Sequence, residues 1–584
     1  MWSSSITIPS SASKSHSDVL SKTRVTSAPT FPDYVPTVPQ LLADARERFG
    51  GSDCVVTPDE RLTYTELDVR SRRLAARLLG AGIGKSSRVG ILFPNGVSWV
   101  VAWAAAARIG AVVIPINTFY KTAELAGFLR HADVQFLLGV GSFIQHDYLE
   151  RLESVAPDLG DHGPGPLFLA STPQLRRVLL WGESSRAWAD GGFGLDLDAA
   201  APGADLAAAG GDFDRSDLVD AIGTEISPGD EMLVTYTSGS TGEPKGVVHS
   251  HGALLRHARN LAALSGLDGT SRLWTPMPLC WVGGFAFTLL RAMSVGARFV
   301  TQEVFEPADA LALMSRERVT IVSAWPAVAK LLTEHPDYSR TDLTSVCSGS
   351  FYDAVPPDRR PPDQGLVVGS LGMSETCGPH TFWHPGEEVT GVPEAYRGAF
   401  GHEVPGTEHR IVDPETGLDL PEGEEGEVLV RGYNLMVGLY KRDRSEVFDA
   451  DGWYRTGDRG YFRDGWFFFT GRQTDLIKTS GSNVAPAEVE RCLLAIEEVK
   501  LAFVVGVPHP DRGQDVVALV VPWRAETPVA SHLKDRLREE LSSYKIPRHV
   551  LVIEDESVPW LISQKVDRRA LTTLAEKLLA QAPA

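Results

Sequence analysis

Ten residues near the middle of the chain, Thr237-Ser-Gly-Ser-Thr-Gly-Glu-Pro-Lys-Gly246, bring together the groups needed to hold a polyphosphate. Gly239, Gly242 and Gly246 let the backbone come close and turn successive N–H groups toward anionic oxygens. Thr237, Ser238, Ser240 and Thr241 add hydroxyl donors, and Lys245 supplies a compact positive charge. The run is not a Walker A loop, because Glu243-Pro244 separates Gly242 from Lys245. An apolar strand ending at Tyr236 precedes it and a helical stretch, Leu254 to Leu264, follows, which predicts a loop where α/β proteins bind phosphates. A second polar run, Ser370-Leu-Gly-Met-Ser-Glu-Thr376, contains a near miss to the Gly-x-Ser-x-Gly elbow of hydrolases. Its missing final glycine argues against a nucleophilic serine.

The pattern Thr-Ser-Gly-Ser-Thr-Gly-x-Pro-Lys-Gly resembles the signature of the adenylate-forming superfamily, whose members include acyl-CoA synthetases, adenylation domains of peptide synthetases and beetle luciferases. Further segments resemble that family in the expected order, from about residue 35 to about residue 575. Leu371-Gly-Met-Ser-Glu-Thr376 is similar to its Tyr-Gly-Met-Thr-Glu segment. The resemblance implies that Gly372, Met373 and Ser374 belong to the ATP site, that Glu375 binds Mg²⁺ and that Thr376 reaches a phosphate. Leu371 stands where the family usually carries the aromatic residue that covers adenine. Ser348-Gly-Ser350-Phe351 falls at the adenine-binding turn. Tyr454-Arg-Thr-Gly-Asp458 is similar to the segment whose aspartate holds the ribose hydroxyls, and Arg472 matches the arginine at the domain boundary. Thr474 occupies the hinge position, where the family has Asp or Lys. Lys478, Ser480 and Gly481 match the loop that approaches the site during thioester formation. Pro559-Trp-Leu-Ile-Ser-Gln-Lys-Val-Asp-Arg568 is similar to the segment of the catalytic lysine, which would be Lys565, with Gln564 replacing a glycine.

The reaction implied is a two-step ligation. An acid attacks Mg-ATP to give an acyl adenylate, and a thiol then displaces AMP. Coenzyme A is the first-choice acceptor, and a carrier-protein phosphopantetheine is the alternative. Pro278-Leu-Cys-Trp-Val-Gly-Gly-Phe285 occupies the segment that lines the family's acyl pocket. Amino-acid-activating relatives carry an aspartate there. Here Trp281 and Val282 are apolar, Gly283 and Gly284 leave room, and Trp325 adds a further wall, so an uncharged acyl body is expected. A fatty or cyclic acid comes first and an aromatic acid second.

The elements that must position these residues are legible as alternation. Leu62 to Leu79 reads as an amphipathic helix, Arg88 to Phe93 as a buried strand, Val97 to Arg108 as a buried helix and Ala111 to Pro115 as the next strand, which together predict a helix-covered parallel sheet. Residues 155 to 228 are rich in Gly, Ala, Asp and Pro and read as an acidic surface excursion. From Ala399 to Gly471, short strands with turn signals predict a small antiparallel or barrel-like unit. Beyond Arg472 the pattern is an α+β domain, which the family resemblance implies is mobile, so the expected division is a tail at 1–34, a large ATP- and acyl-binding domain at 35–471 and a small domain at 472–584.

A net charge of −19 argues against nucleic acid or an anionic membrane as partner. The run Val97 to Ala107 is too short to span a bilayer. Five scattered cysteines point to free thiols in a reducing compartment, and the cytoplasm is expected. The Ser/Thr-rich start lacks an apolar signal core and reads as a disordered tail or an overextended start, with a transit peptide as the alternative.

Overall fold

The computed structural model describes residues 28–197, 216–238, 244–324, 326–349, 369–382, 394–472, 477–479, 482–484, 486–510, 512–523, 530–541, 543–561 and 566–581. The expectations for Gly239, Ser240, Thr241, Gly242, Trp325, Ser350, Thr474, Ser480, Gly481 and Lys565 lie outside these residues.

Among the described residues an eight-stranded sheet is built around Val112–Pro115, Arg88–Leu92, Phe136–Gly139 and Arg177–Leu180, all parallel. Glu231–Ser238 extends this parallel set beside Val112–Pro115, and two further strands lie beyond it. The six-stranded sheet is also mostly parallel, with Arg272–Trp274 between Arg298–Val300 and Ile321–Val322. Between the sheets runs the Val97–Arg108 helix, in which every residue but Ser98 is buried. An all-round apolar helix has no solvated face and must be central. Its one charged residue, Arg108, is neutralised by Asp68 at 2.7 Å. Trp99 and Trp103 hold the ring of Phe285 at centroid distances of 5.4 and 5.1 Å. The first predicted helix begins at Tyr64, after a short strand Arg61–Thr63, because Thr63 and Glu66 close a capping box there.

Two predictions are corrected. The stretch from 155 to 228 is not merely an excursion: Arg177–Leu180 is a strand of the eight-stranded sheet, and Leu167, Leu169 and Leu175 are buried against it. Its scattered leucines were masked by the surrounding Gly and Asp. The 399–471 region is antiparallel as expected, but its four strands (Thr407–Val412, Gly426–Gly432, Tyr454–Arg463, Trp466–Arg472) form an open sheet and not a closed barrel among the described residues.

The C-terminal region pairs Gly513–Pro522 with Val499–His509 antiparallel and with His549–Val552 parallel. Helices Pro486–Leu494, Ala530–Glu540 and Arg568–Gln581 cover it, giving two apolar layers. Arg568 fastens the last helix through both oxygens of Glu490 at 3.0 and 3.1 Å.

Candidate active site

The strands on either side of the glycine-rich run pair with each other as a hairpin. Glu231–Ser238 pairs antiparallel with Pro244–Ser250, with Thr237 opposite Lys245 and Ser238 opposite Pro244. This corrects the expected strand–loop–helix order: the helix His251–Leu264 starts only after the second strand, capped by the Ser250 hydroxyl. The far side of the second strand pairs with Gly438–Leu439.

That pairing brings Lys245 to the polar run at 374–376. Lys245 Nζ lies 2.5 Å from Glu375 Oε1 and donates to the Tyr454 hydroxyl at 3.1 Å. The same hydroxyl donates to Glu375 Oε1 at 3.2 Å. Glu375 sits in the 3-10 turn Ser374–Thr376 between the strands Leu371–Met373 and Gly378–Phe382. Its carbonyl is held by the Met436 N–H at 2.8 Å, and the carbonyl of Thr376 by Asn434 Nδ2 at 3.1 Å. Burial by itself pushes the Glu375 carboxyl up. The Lys245 charge and hydrogen bond, its own backbone N–H and the Tyr454 hydroxyl outweigh that and hold it below the usual glutamate range. Burial, and next the Glu375 charge, push the Tyr454 hydroxyl up. The site is therefore an ionised carboxylate facing an ammonium and a neutral phenol. Both side-chain partners end on Oε1, and neither takes Oε2.

Thr376 is fully buried, and its hydroxyl donates to the Gly378 carbonyl at 2.6 Å. Here it stabilises the turn instead of facing outward. Leu371 packs with Val428, Val430 and Phe467. Ser348 and Gly349 form the edge strand of the six-stranded sheet.

Asp458 shares its strand with Tyr454. Between Arg455 and Arg459 three residues face the single Val428 of the neighbouring strand, a bulge that Gly457 accommodates at φ +72°. The Thr456 hydroxyl locks the bulge by donating to the Val428 carbonyl at 2.7 Å and accepting from the Asp458 N–H at 3.0 Å. Asp458 is 3% exposed, and Arg472 Nε reaches its Oδ1 at 2.9 Å. The two residues are opposite each other in the strand ladder, so the ribose and boundary candidates are brought together. Lys478 is exposed on Ile477–Thr479, with its N–H on Gln514 Oε1 at 2.9 Å.

Trp281 caps the short helix Val282–Gly284, which continues as a π-helix, Phe285–Leu290. Such widened turns concentrate at functional sites. Asn95 fastens the approach, holding the Met277 carbonyl at 2.9 Å and the Leu279 N–H at 2.8 Å. Gly284 does not enlarge a pocket as expected, because a Cβ there would lie 2.2 Å from the Pro278 carbonyl oxygen. Its missing side chain is taken up by a backbone contact.

Sequence reasoning missed a buried histidine group behind Glu375. His249 Nδ1 lies 3.1 Å from Cys377 Sγ, His257 Nε2 meets the Pro379 carbonyl at 2.8 Å, and His380 Nδ1 meets His409 Nε2 at 2.8 Å. Burial pulls His249 down to about 4 and His257 to about 3, and drives His380 well below 6.5. These rings are neutral in the fold, yet each takes a proton near 6.5 once unfolded. Stability is therefore full above that value and falls as pH drops toward about 4. The melting temperature is expected to decline over this window, and more shallowly in His257→Gln. An identical slope in the variant would refute the assignment.

Two mostly parallel sheets around a buried helix, a lysine–carboxylate pair beside a hairpin and a compact C-terminal α+β unit together define the α/β class of the protein. The sequence pattern of the AMP-binding enzyme family matches residues 42–440, and that of the AMP-binding enzyme C-terminal domain matches residues 488–560. The chain belongs to the AMP-binding enzyme family, one of the adenylate-forming enzymes. It is 28% identical to the putative acyl-CoA synthetase YngI of Bacillus subtilis, over 92% of this chain and 96% of that protein. It is also 28% identical to the mitochondrial medium-chain acyl-CoA ligase ACSF2 of Mus musculus, over 93% and 88% of the two chains. Among solved structures, ATP-bound MatB from Rhodopseudomonas palustris superposes with a TM-score of 0.73 at 24% identity, covering 93% of this chain and all of that one, a likeness of fold. No helix among the described residues is long and apolar enough to cross a membrane.

Proposed function

We propose that the protein activates a carboxylic acid with ATP and transfers the acyl group to coenzyme A. The substrate carboxylate oxygen attacks the α-phosphorus, the bond to the β-phosphate oxygen breaks and pyrophosphate leaves. The thiol sulfur then attacks the acyl carbon, the acyl–phosphate bond breaks, AMP departs and the thiol proton passes to solvent. What supports this reading above all is the convergence of Lys245, Glu375 and Tyr454 at the mouth of the hairpin, with Asp458 on the strand of Tyr454.

An ionised glutamate whose described side-chain partners both sit on Oε1 fits Mg²⁺, which takes one or two carboxylates and otherwise phosphate oxygens and water. Among the described residues no group of three His, Cys, Asp or Glu could hold a metal, so the nucleotide would supply most of the ligands. When bound, the ion would neutralise charge on the phosphates. The residues do the rest in this reading: the 237–246 loop and Lys245 cradle the phosphates, Asp458 accepts from the ribose hydroxyls, and Lys565 meets the α-phosphate. The small domain, residues 472–584, would swing about Thr474 between the two steps, bringing first Lys565 and then the loop with Lys478, Ser480 and Gly481.

For the acyl group the apolar Trp281 and Val282 support a fatty or cyclic acid, with an aromatic acid second. Medium-chain in the name of ACSF2 agrees with that choice. Pyrophosphate release across a panel of acids, with and without coenzyme A, tests the reading, and no release with any acid refutes it. Trp281→Ala is expected to move the acid preference toward bulkier chains by roughly tenfold, with little change in KM for ATP. An unchanged acid profile with collapsed ATP use would remove Trp281 from the pocket.

A further inference from the structure

Asp555 lies where the C-terminal region meets the rest of the chain. Its Oδ2 accepts from Lys330 Nζ, on the helix Pro326–Glu334, and from Lys500 Nζ at 3.1 Å, on the strand Val499–His509. Asp555 opens the 3-10 turn Asp555–Ser557. Immediately beyond, the Asp567 N–H reaches the Pro559 carbonyl at 2.8 Å and Trp560 bridges Val566. The turn is therefore the root of the segment that holds Lys565. On the other side, the Lys330 helix starts at the residue after Trp325.

Two cations share this single carboxylate, and each side has a partner of its own in reserve. Lys500 belongs to the same region as Asp555, and Glu334 Oε1 stands 4.0 Å from Lys330 on the same helix. The bridge can therefore open without stranding a buried charge, the condition that makes a broken ion pair costly. All three groups are partly exposed, with side-chain exposures of 34% for Lys330, 24% for Asp555 and 17% for Lys500, so the pair is weak as well as reversible.

We infer that Lys330 and Asp555 form an orientation-specific latch that holds the root of the Lys565 segment against the large domain for adenylate formation and releases it for thioester formation. The latch rests on the proposed two-step reaction. Both are positioning residues, acting through the placement of Lys565.

The test separates the half-reactions in the full-length enzyme. Lys330→Ala should slow pyrophosphate release by up to about fivefold while leaving thioester formation from presynthesised acyl adenylate at or above the parental rate. Lys330→Glu should slow the first step further. Combining it with Asp555→Lys restores one anion between two cations and should bring the first step back toward the parent. These differences should shrink near 1 M salt, where the screening length is about 3 Å. Equal loss in both half-reactions, no loss in either, or a double variant no better than its singles would overturn the latch. A parent that releases no pyrophosphate would refute the reaction and not the latch, so small-angle scattering supplies a second reading. Lys330→Glu should enlarge the radius of gyration of the unliganded protein, and an unchanged profile would overturn the inference.

Discussion

Replacing Lys565 by alanine is expected to slow pyrophosphate release by roughly 10²–10³-fold, the cost of removing one preorganised donor from a charged transition state. The same variant, given presynthesised acyl adenylate and coenzyme A, should form thioester at close to the parental rate. The asymmetry follows from the proposed swing of the small domain, which would place this ammonium on the α-phosphate only during the first step. Acetylation of Lys565 would remove the charge and act in the same direction. Equal losses in both half-reactions would mean a lysine used throughout, and the alternating-domain reading would fall. Absence of loss in either would place Lys565 on the solvated surface.

Glu375→Gln is expected to lower adenylate formation by about 10²-fold and to raise the Mg²⁺ concentration needed for half-maximal rate, since a neutral amide is a poor ligand for a hard cation. The structure adds a second consequence. Among the described residues Lys245 pairs with the carboxylate of Glu375, at 2.5 Å, and Tyr454 donates to the same oxygen, so the substitution leaves an ammonium facing a neutral group. Occupancy by ATP should therefore weaken less than the rate falls, because the freed ammonium remains available to the phosphates. Because the Glu375 carboxyl is held below the usual range, the parental rate should not fall through this group until the pH is well into the acid range. Unchanged Mg²⁺ dependence in the variant would count against Glu375 as the metal ligand.

Much of this fold can be read in the chain without coordinates. The Val97–Arg108 helix and the Arg88–Leu92 strand emerge where the periodicity predicts them, and the region beyond Arg472 mixes helices and strands as expected. Each depends on the hydrophobic pattern within one window of residues. The readings that failed depended on what lies opposite. Whether the run after Lys245 is strand or helix is decided by its pairing with Glu231–Ser238 on one side and Gly438–Leu439 on the other. The Arg177–Leu180 strand was hidden because only burial against Phe136–Gly139 distinguishes its four residues from loop.

The site divides the same way. Residue types and spacing marked the glycine-rich run, Glu375 and the Thr-Gly-Asp segment as candidates, because backbone freedom, hydroxyl donors and a hard carboxylate are properties of the residues themselves; the hairpin and the bulge came only with the strand pairing. Tyr454 stood in a recognised segment but had no assigned role, since nothing local says that a tyrosine will meet a lysine 209 positions away. The Lys245–Glu375 pair spans 130 positions and the Lys330–Asp555 pair 225. Such meetings follow from strand order and from the packing of one region on another, which is a property of the whole chain. The sequence by itself determined which residues carry the backbone freedom, hydroxyls and charges proposed to hold a nucleotide, and in what order they occur. Only the tertiary structure decided which of them share an oxygen, because short-range propensities carry no information about partners that sheet topology brings together.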